Sequence, residues 1–248
     1  MSAAVAVLLG LLGIPIGGFL NVVIDRVPDR VPLRGPRDGE AAAPMMWGPV
    51  PAQPWLLRTG VDRDGLPRRW LWVELATAVI LAALGARFGD SLAVVPVAVL
   101  GAALVAVSVI DLQLLRIPDR VTFPALALAL PLILLVSLRY DDGEAFVAGL
   151  VGAGTYFVAL LVPHLVYPRG MGFGDVKLAL LMGLYLGWLG WTPVHPVGEP
   201  IQQVLYGLML GCILGVVFGL ASQIITHRRG EFPFGPALAL ACLIVISL

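Results

Sequence analysis

The sequence predicts an all-α polytopic membrane protein of about eight transmembrane helices, and three observations carry the prediction. Hydrophobic residues make up 59% of the 248 residues and charged residues 13%, with a mean hydropathy of +0.93. A water-soluble chain of this length rarely reads so apolar. The apolar residues gather into stretches of roughly 15–25 residues, near the ~20 needed to cross a bilayer as a helix. Basic residues then fall on alternate connectors, as a regular series of crossings requires.

The elements follow in order. The first span is 4–24. Its Gly10, Gly13, Gly17 and Gly18 suit close helix approach. No basic residue precedes it and it is too long for a simple signal-peptide core, so it reads as a retained span. The connector 25–69 holds eight Arg and eight Pro and is expected to be largely irregular, lying near the membrane surface. Spans are then expected at 70–88, 91–110, 121–138, 146–167, 176–193, 203–225 and 234–248. The organisation is a first helix at 1–24, a Pro/Arg-rich loop at 25–69 and a membrane core of about seven helices at 70–248. Trp47, Trp55, Trp70 and Trp72 fit an interfacial aromatic belt. Cys212 and Cys242 sit in apolar spans and read as small packing residues.

Orientation follows from charge. The loop 25–69 has eight Arg, and Arg116, Arg120, Arg169, Lys177, Arg228 and Arg229 lie on three further connectors. The alternate connectors hold only Arg87 and Arg139. The arginine-rich side is therefore expected to be cytoplasmic, with both termini outside. Net charge is zero, which gives no basic field to attract nucleic acid.

Against this background two aspartates stand out. Asp111 ends the apolar run 92–110, and Asp175 closes Gly170-Met171-Gly172-Phe173-Gly174-Asp175. An ionisable group at the hydrocarbon boundary is costly and marks a functional site by default. Two predicted spans separate the pair, so both lie on the same, cytoplasmic, face. Two carboxyls forced together cannot both ionise easily. One can then take a proton from water while the other gives one to a carbonyl, the aspartic-protease arrangement. Gly170, Gly172 and Gly174 admit backbone geometry closed to other residues. Asp119 follows Pro118 and suits a helix N-cap. Lys177, the single lysine, either acts on Asp175 or anchors its helix at the interface. His164 reads as a hydrogen-bonded packing residue, with proton relay as the alternative.

The stretch Ile110-Asp111-Leu112-Gln113-Leu114-Leu115-Arg116-Ile117-Pro118-Asp119, followed by Gly172-Phe173-Gly174-Asp175-Val176-Lys177, resembles the type IV prepilin peptidases. These are membrane-embedded aspartic proteases of the GxGD type. Gly18-Phe19-Leu20-Asn21-Val22-Val23-Ile24-Asp25-Arg26-Val27-Pro28, Trp72-Val73-Glu74-Leu75-Ala76-Thr77 and Pro233-Phe234-Gly235-Pro236 resemble further motifs of that family, in its order. The resemblance implies that Asp111 and Asp175 are catalytic, with Gly172, Gly174, Lys177 and Asp119 in support. Glu74 and Asn21 are candidates for substrate binding. It implies cleavage of a short basic leader from a prepilin or pseudopilin at the cytoplasmic face of the bacterial inner membrane. In the family the first-loop region is associated with methylating the new N-terminus, using S-adenosylmethionine, and Asp25 and Glu74 are candidates to meet the leader's positive charge. Many members carry two Cys-x-x-Cys pairs in the first loop, a zinc-ribbon spacing. Here that loop has no cysteine, and no zinc is expected. Proteolysis needs no cofactor. Two alternatives use the same aspartates. A presenilin or signal-peptide-peptidase type would place tyrosine before the first Asp, where Ile110 stands, though Pro236-Ala237-Leu238 matches its closing tripeptide. A proton-coupled transporter would often show internal repeats, and none is found.

Overall fold

The structure is a computed structural model that describes residues 2–30, 68–168, 171–226 and 233–248. Among these residues it has eight α-helices and no strand. They are α1 (Ser2–Arg26), α2 (Arg69–Phe88), α3 (Val94–Leu114), α4 (Asp119–Arg139), α5 (Gly143–Val166), α6 (Phe173–Leu189), α7 (Gly198–Thr226) and α8 (Gly235–Ser247). All backbone polar groups must be satisfied within a segment that crosses lipid, and helices do this locally. Six of the eight are long and apolar enough to cross a membrane: α1 to α5 and α7. The chain is an integral membrane protein. At 17 residues α6 is at the lower edge of spanning length, and α8 at 13 is shorter still. Large apolar side chains point outward along the long helices, among them Val7, Leu11, Leu135, Leu138, Met209 and Val216. Such exposure is what a lipid solvent permits.

The chain divides into two compact units, Met1–Val94 and Val95–Leu248. α1 and α2 both lie in the first unit.

In the first unit α1 and α2 lie antiparallel and in close contact. A methyl at Gly17 would come 2.6 Å from Cα of Glu74, and one at Gly85 would come 2.9 Å from Cα of Ala6. Glycine therefore sets the separation, as expected for helix pairs in lipid. Polar contacts lock the register. Asn21 Nδ2 donates to the Trp70 carbonyl at 3.0 Å, and Trp70 Nε1 donates to Asp25 Oδ2 at 3.0 Å. Arg69 pairs with Asp25. Trp70 is thus buried and not part of an interfacial belt: its indole N–H has a fixed carboxylate partner inside the unit. Trp72, on the other face, is exposed. Trp47, Trp55 and most of the Pro/Arg-rich loop lie outside the described residues.

In the second unit α6 is the central helix. Leu178, Ala179, Leu181, Met182, Leu184 and Tyr185 are completely buried. It touches α4, α5, α7 and α8. Its fit against α5 depends on glycine on both helices, since a methyl at Gly152 would lie 2.7 Å from Cα of Gly187. The aromatic side chains of α6 carry their polar atoms to partners: Tyr185 Oη donates to the Pro96 carbonyl at 2.7 Å, and Trp188 Nε1 to Ser137 Oγ at 3.0 Å. Cys242 is buried in α8, as a packing residue is; Cys212 is exposed on α7.

Candidate active site

Three helix ends in the second unit build the site. The apolar run that ends at Ile110 continues as helix to Leu114, so Asp111 lies inside the last turns of α3. Leu115 closes that helix with a positive φ of 52° and donates its N–H to the Asp111 carbonyl at 2.9 Å. The chain then runs through Ile117 and Pro118 into α4. Asp175 lies in the first turn of α6, which begins two residues earlier, at Phe173. Gly172 is its N-cap, with extended backbone at φ −67° and ψ 141°. The third end is the start of α8 at Gly235.

Asp111 and Asp175 are both buried, at 5% and 7% exposure. That is rare for carboxyls unless they have partners. The partner of Asp111 is the Gly235 N–H, which donates to Oδ2 at 2.9 Å. This N–H is one of the donors that a helix start leaves without an intrahelical acceptor. The positive end of α8 is thus aimed at Asp111, and Asp175 sits at the positive end of α6; both placements favour an anion. Asp175 Oδ1 is buried and has no hydrogen-bond partner among the described residues. One residue, Ile117, lies against both Gly174, next to Asp175, and Gly235, the partner of Asp111.

Ile117 packs the three ends together. A methyl at Gly174 would lie 2.8 Å from Ile117 Cβ, and one at Gly235 would lie 3.3 Å from Ile117 Cδ1 and 2.9 Å from Asp111 Oδ2. Glycine at these two positions is needed for close approach. Gly235→Ala should push on the Asp111 carboxyl itself. We expect it to lower the rate at which substrate is processed by about tenfold or more, since small displacements of reacting groups are costly. Rate per unit of folded protein is the measurement, and an unaltered rate would remove Gly235 from the site.

The supporting residues are placed as follows. Pro118, not Asp119, is the N-cap of α4, and Asp119 makes no capping bond. Its carboxylate is taken by Lys177, whose Nζ lies 2.7 and 2.8 Å from the two oxygens. A full ammonium at this range outcompetes backbone N–H groups for a carboxylate. Lys177 also stands over the Phe173 and Phe123 rings, at 5.0 and 5.8 Å. It therefore ties α6 to α4. His164 Nδ1 lies 2.9 Å from the Met171 carbonyl, and its ring is 5.3 Å from Phe173. Gly170 lies outside the described residues. Asn21 and Glu74 are completely buried within the first unit. Asp25 there is held by Arg69 and Trp70. Among the described residues no three His, Cys, Asp or Glu side chains are grouped closely enough to hold a metal ion.

The sequence marked Gly235 only as part of a motif. Its role comes from a hydrogen bond to a residue 124 positions away, and no local pattern announces such a pairing. Ile117 gave no signal beyond lying between the two aspartates of the first motif.

Two buried carboxyls, one near the end of α3 and facing the start of α8, the other in the first turn of α6, define a membrane protein equipped for acid–base chemistry at a buried site. Comparison with known proteins gives the family. The model of the type IV leader peptidase family matches residues 98–220, which contain both aspartates. A prepilin leader peptidase/N-methyltransferase of Xanthomonas campestris is 30% identical over 94% of this chain and 88% of its own. Proteins of the same name from Burkholderia pseudomallei and Myxococcus xanthus are 31% and 32% identical, over 96% and 88% of this chain and 83% and 64% of theirs. No solved structure matches the chain. The chain belongs to the type IV leader peptidase family.

Proposed function

We propose that the protein is an aspartic endopeptidase that removes the leader from a prepilin or pseudopilin at the cytoplasmic face of the bacterial inner membrane. The observation that carries this reading is the pair Asp111 and Asp175, buried together where α3, α6 and α8 meet. Family membership and the naming of its relatives support the substrate class. Fourteen of sixteen basic residues on alternate connectors support the cytoplasmic side.

The reaction divides between the two acids. Asp111 accepts an N–H from Gly235, an arrangement suited to the ionised form. It takes a proton from water as the water oxygen bonds to the scissile carbonyl carbon. Asp175, with Oδ1 free of protein partners among the described residues, gives its proton to the carbonyl oxygen. The tetrahedral diol then collapses. Its C–N bond breaks, the leaving nitrogen gains the proton held by Asp111, and a hydroxyl proton returns to Asp175. The bond to be cut must lie at the membrane boundary, because both acids sit at helix ends.

A site that works with one proton on two carboxyls loses activity when both are protonated and when both are ionised. We expect a bell-shaped dependence of kcat/KM on pH. A rate that only rises with pH would argue against a required acid.

The names of the relatives include N-methyltransferase, and the donor in the family is S-adenosylmethionine. Among the described residues of the first unit, Asp25 is occupied and Asn21 and Glu74 are enclosed. The test of the whole reading is incubation of the purified protein in detergent with a prepilin, followed by mass measurement of the product. Loss of the leader supports the protease, and an added methyl would reveal transfer. An intact substrate defeats the proposal.

A further inference from the structure

The turn that delivers Asp175 cannot hold itself. Gly172 and Gly174 have no side chains to pack, and glycine is the residue with the most backbone freedom to lose. Asp175 N–H donates to the Gly172 carbonyl at 3.1 Å, but that bond closes only the first turn of α6. Something outside the turn has to fix its direction. Two braces do so, one on each side. On the α4 side stands the Asp119–Lys177 pair with Lys177 over Phe173. On the α5 side stands His164, in the last turn of α5.

The His164 contact has a defined chemistry. A carbonyl oxygen only accepts, so Nδ1 must carry the proton that it shares with the Met171 oxygen at 2.9 Å. The ring then lies against Phe173 at 5.3 Å, tilted by 39°. One side chain therefore grips the turn twice, by its backbone at Met171 and by the aromatic ring two residues on. Asp175 follows that ring by two residues.

We propose that His164 is a positioning residue for the cleavage reaction: its Nδ1–H bond to the Met171 carbonyl sets the angle at which the Gly172–Asp175 turn presents the Asp175 carboxyl to Asp111. His164 does not touch the reacting atoms and is not a proton relay. The inference rests on the proteolytic reading given above.

The test compares His164→Ala, His164→Asn and His164→Phe in the full-length protein, with wild type as reference. The Asn amide places an N–H close to the position of Nδ1, whereas Phe keeps the ring contact and has no donor. Cleavage of a prepilin is measured as kcat and KM over a range of pH. Amide hydrogen exchange of the segment 171–175 is measured on the same samples. The Ala and Phe variants should lose about tenfold in kcat, with KM nearly unchanged and faster exchange in 171–175. The Asn variant should regain most of the rate and protection, with both limbs of the pH profile where wild type has them. Wild-type kcat in the Ala variant overturns the proposal. So does an Asn variant as slow as Ala, or one whose pH profile has lost a limb. Should wild type itself cleave nothing, the proteolytic reading fails and this positioning role with it; the exchange measurement then still decides whether His164 clamps the turn.

Discussion

Asp111→Asn and Asp175→Asn should each lower prepilin processing by about 10²–10⁴-fold, the range a positioned acid or base contributes. Protein levels should stay the same. Asparagine has the shape of aspartate, and at position 111 its amide oxygen can still accept the Gly235 N–H that the carboxylate accepts at 2.9 Å. The fold at the three helix ends is thus preserved while the proton chemistry is lost. The double variant should be no worse than the more severe single, because both acids serve one step and their effects do not add. Co-expression with a prepilin and measurement of the fraction still carrying its leader gives the result directly. Near-normal processing by either single variant would falsify the two-carboxylate mechanism.

The second large effect is structural. Gly152→Leu should prevent α5 and α6 from packing. Even a methyl at Gly152 would meet the Gly183 carbonyl oxygen and come within 2.7 Å of Cα of Gly187. These are backbone atoms and cannot rotate away. The reciprocal contact is as tight, with a methyl at Gly183 placed 2.9 Å from Cα of Ala153. Overpacking of this kind costs about 3 kcal/mol or more. In detergent the apparent Tm should fall by on the order of 10 °C, and activity should fall with it, since α6 carries Asp175. Gly154→Leu is the control: nothing lies within 4 Å of a methyl there, and its Tm should stay near that of wild type. Leucine is a better helix former than glycine, so equal losses in the two variants would show that the effect does not come from the crossing.

These predictions differ in how much of their basis could be read from the chain. That α3 and α6 exist, the one with an aspartate near its end and the other with one at its start, is local information. Apolar stretches of spanning length, interrupted by arginine at alternate connectors, leave few other topologies. The helix boundaries were less legible. Asp111 and Asp175 both read as connector residues beside their spans, yet α3 runs on to Leu114 and α6 begins at Phe173. A hydropathy pattern ends at a charge. A helix ends where its backbone bonds do, and a carboxyl stays inside it when another helix end supplies the donor.

The same distinction explains the residues that were placed differently. Asp119 after proline has the sequence of an N-cap, and became the partner of Lys177 because a lysine 58 residues away arrives beside it. Trp70 has the sequence of an interfacial tryptophan. It is buried because Asp25 accepts its N–H.

By itself the sequence determined the solvent, the helical class and the order of the helices, and it marked the two aspartates, because all of these depend on composition and spacing along the chain. Only the tertiary structure decided which N–H meets Asp111, what fills the gap between Gly174 and Gly235, and what grips the turn before Asp175. Those are contacts between helix ends that neither hydropathy nor motif spacing encodes. They arise when packed helices bring together polar groups that have no other partner.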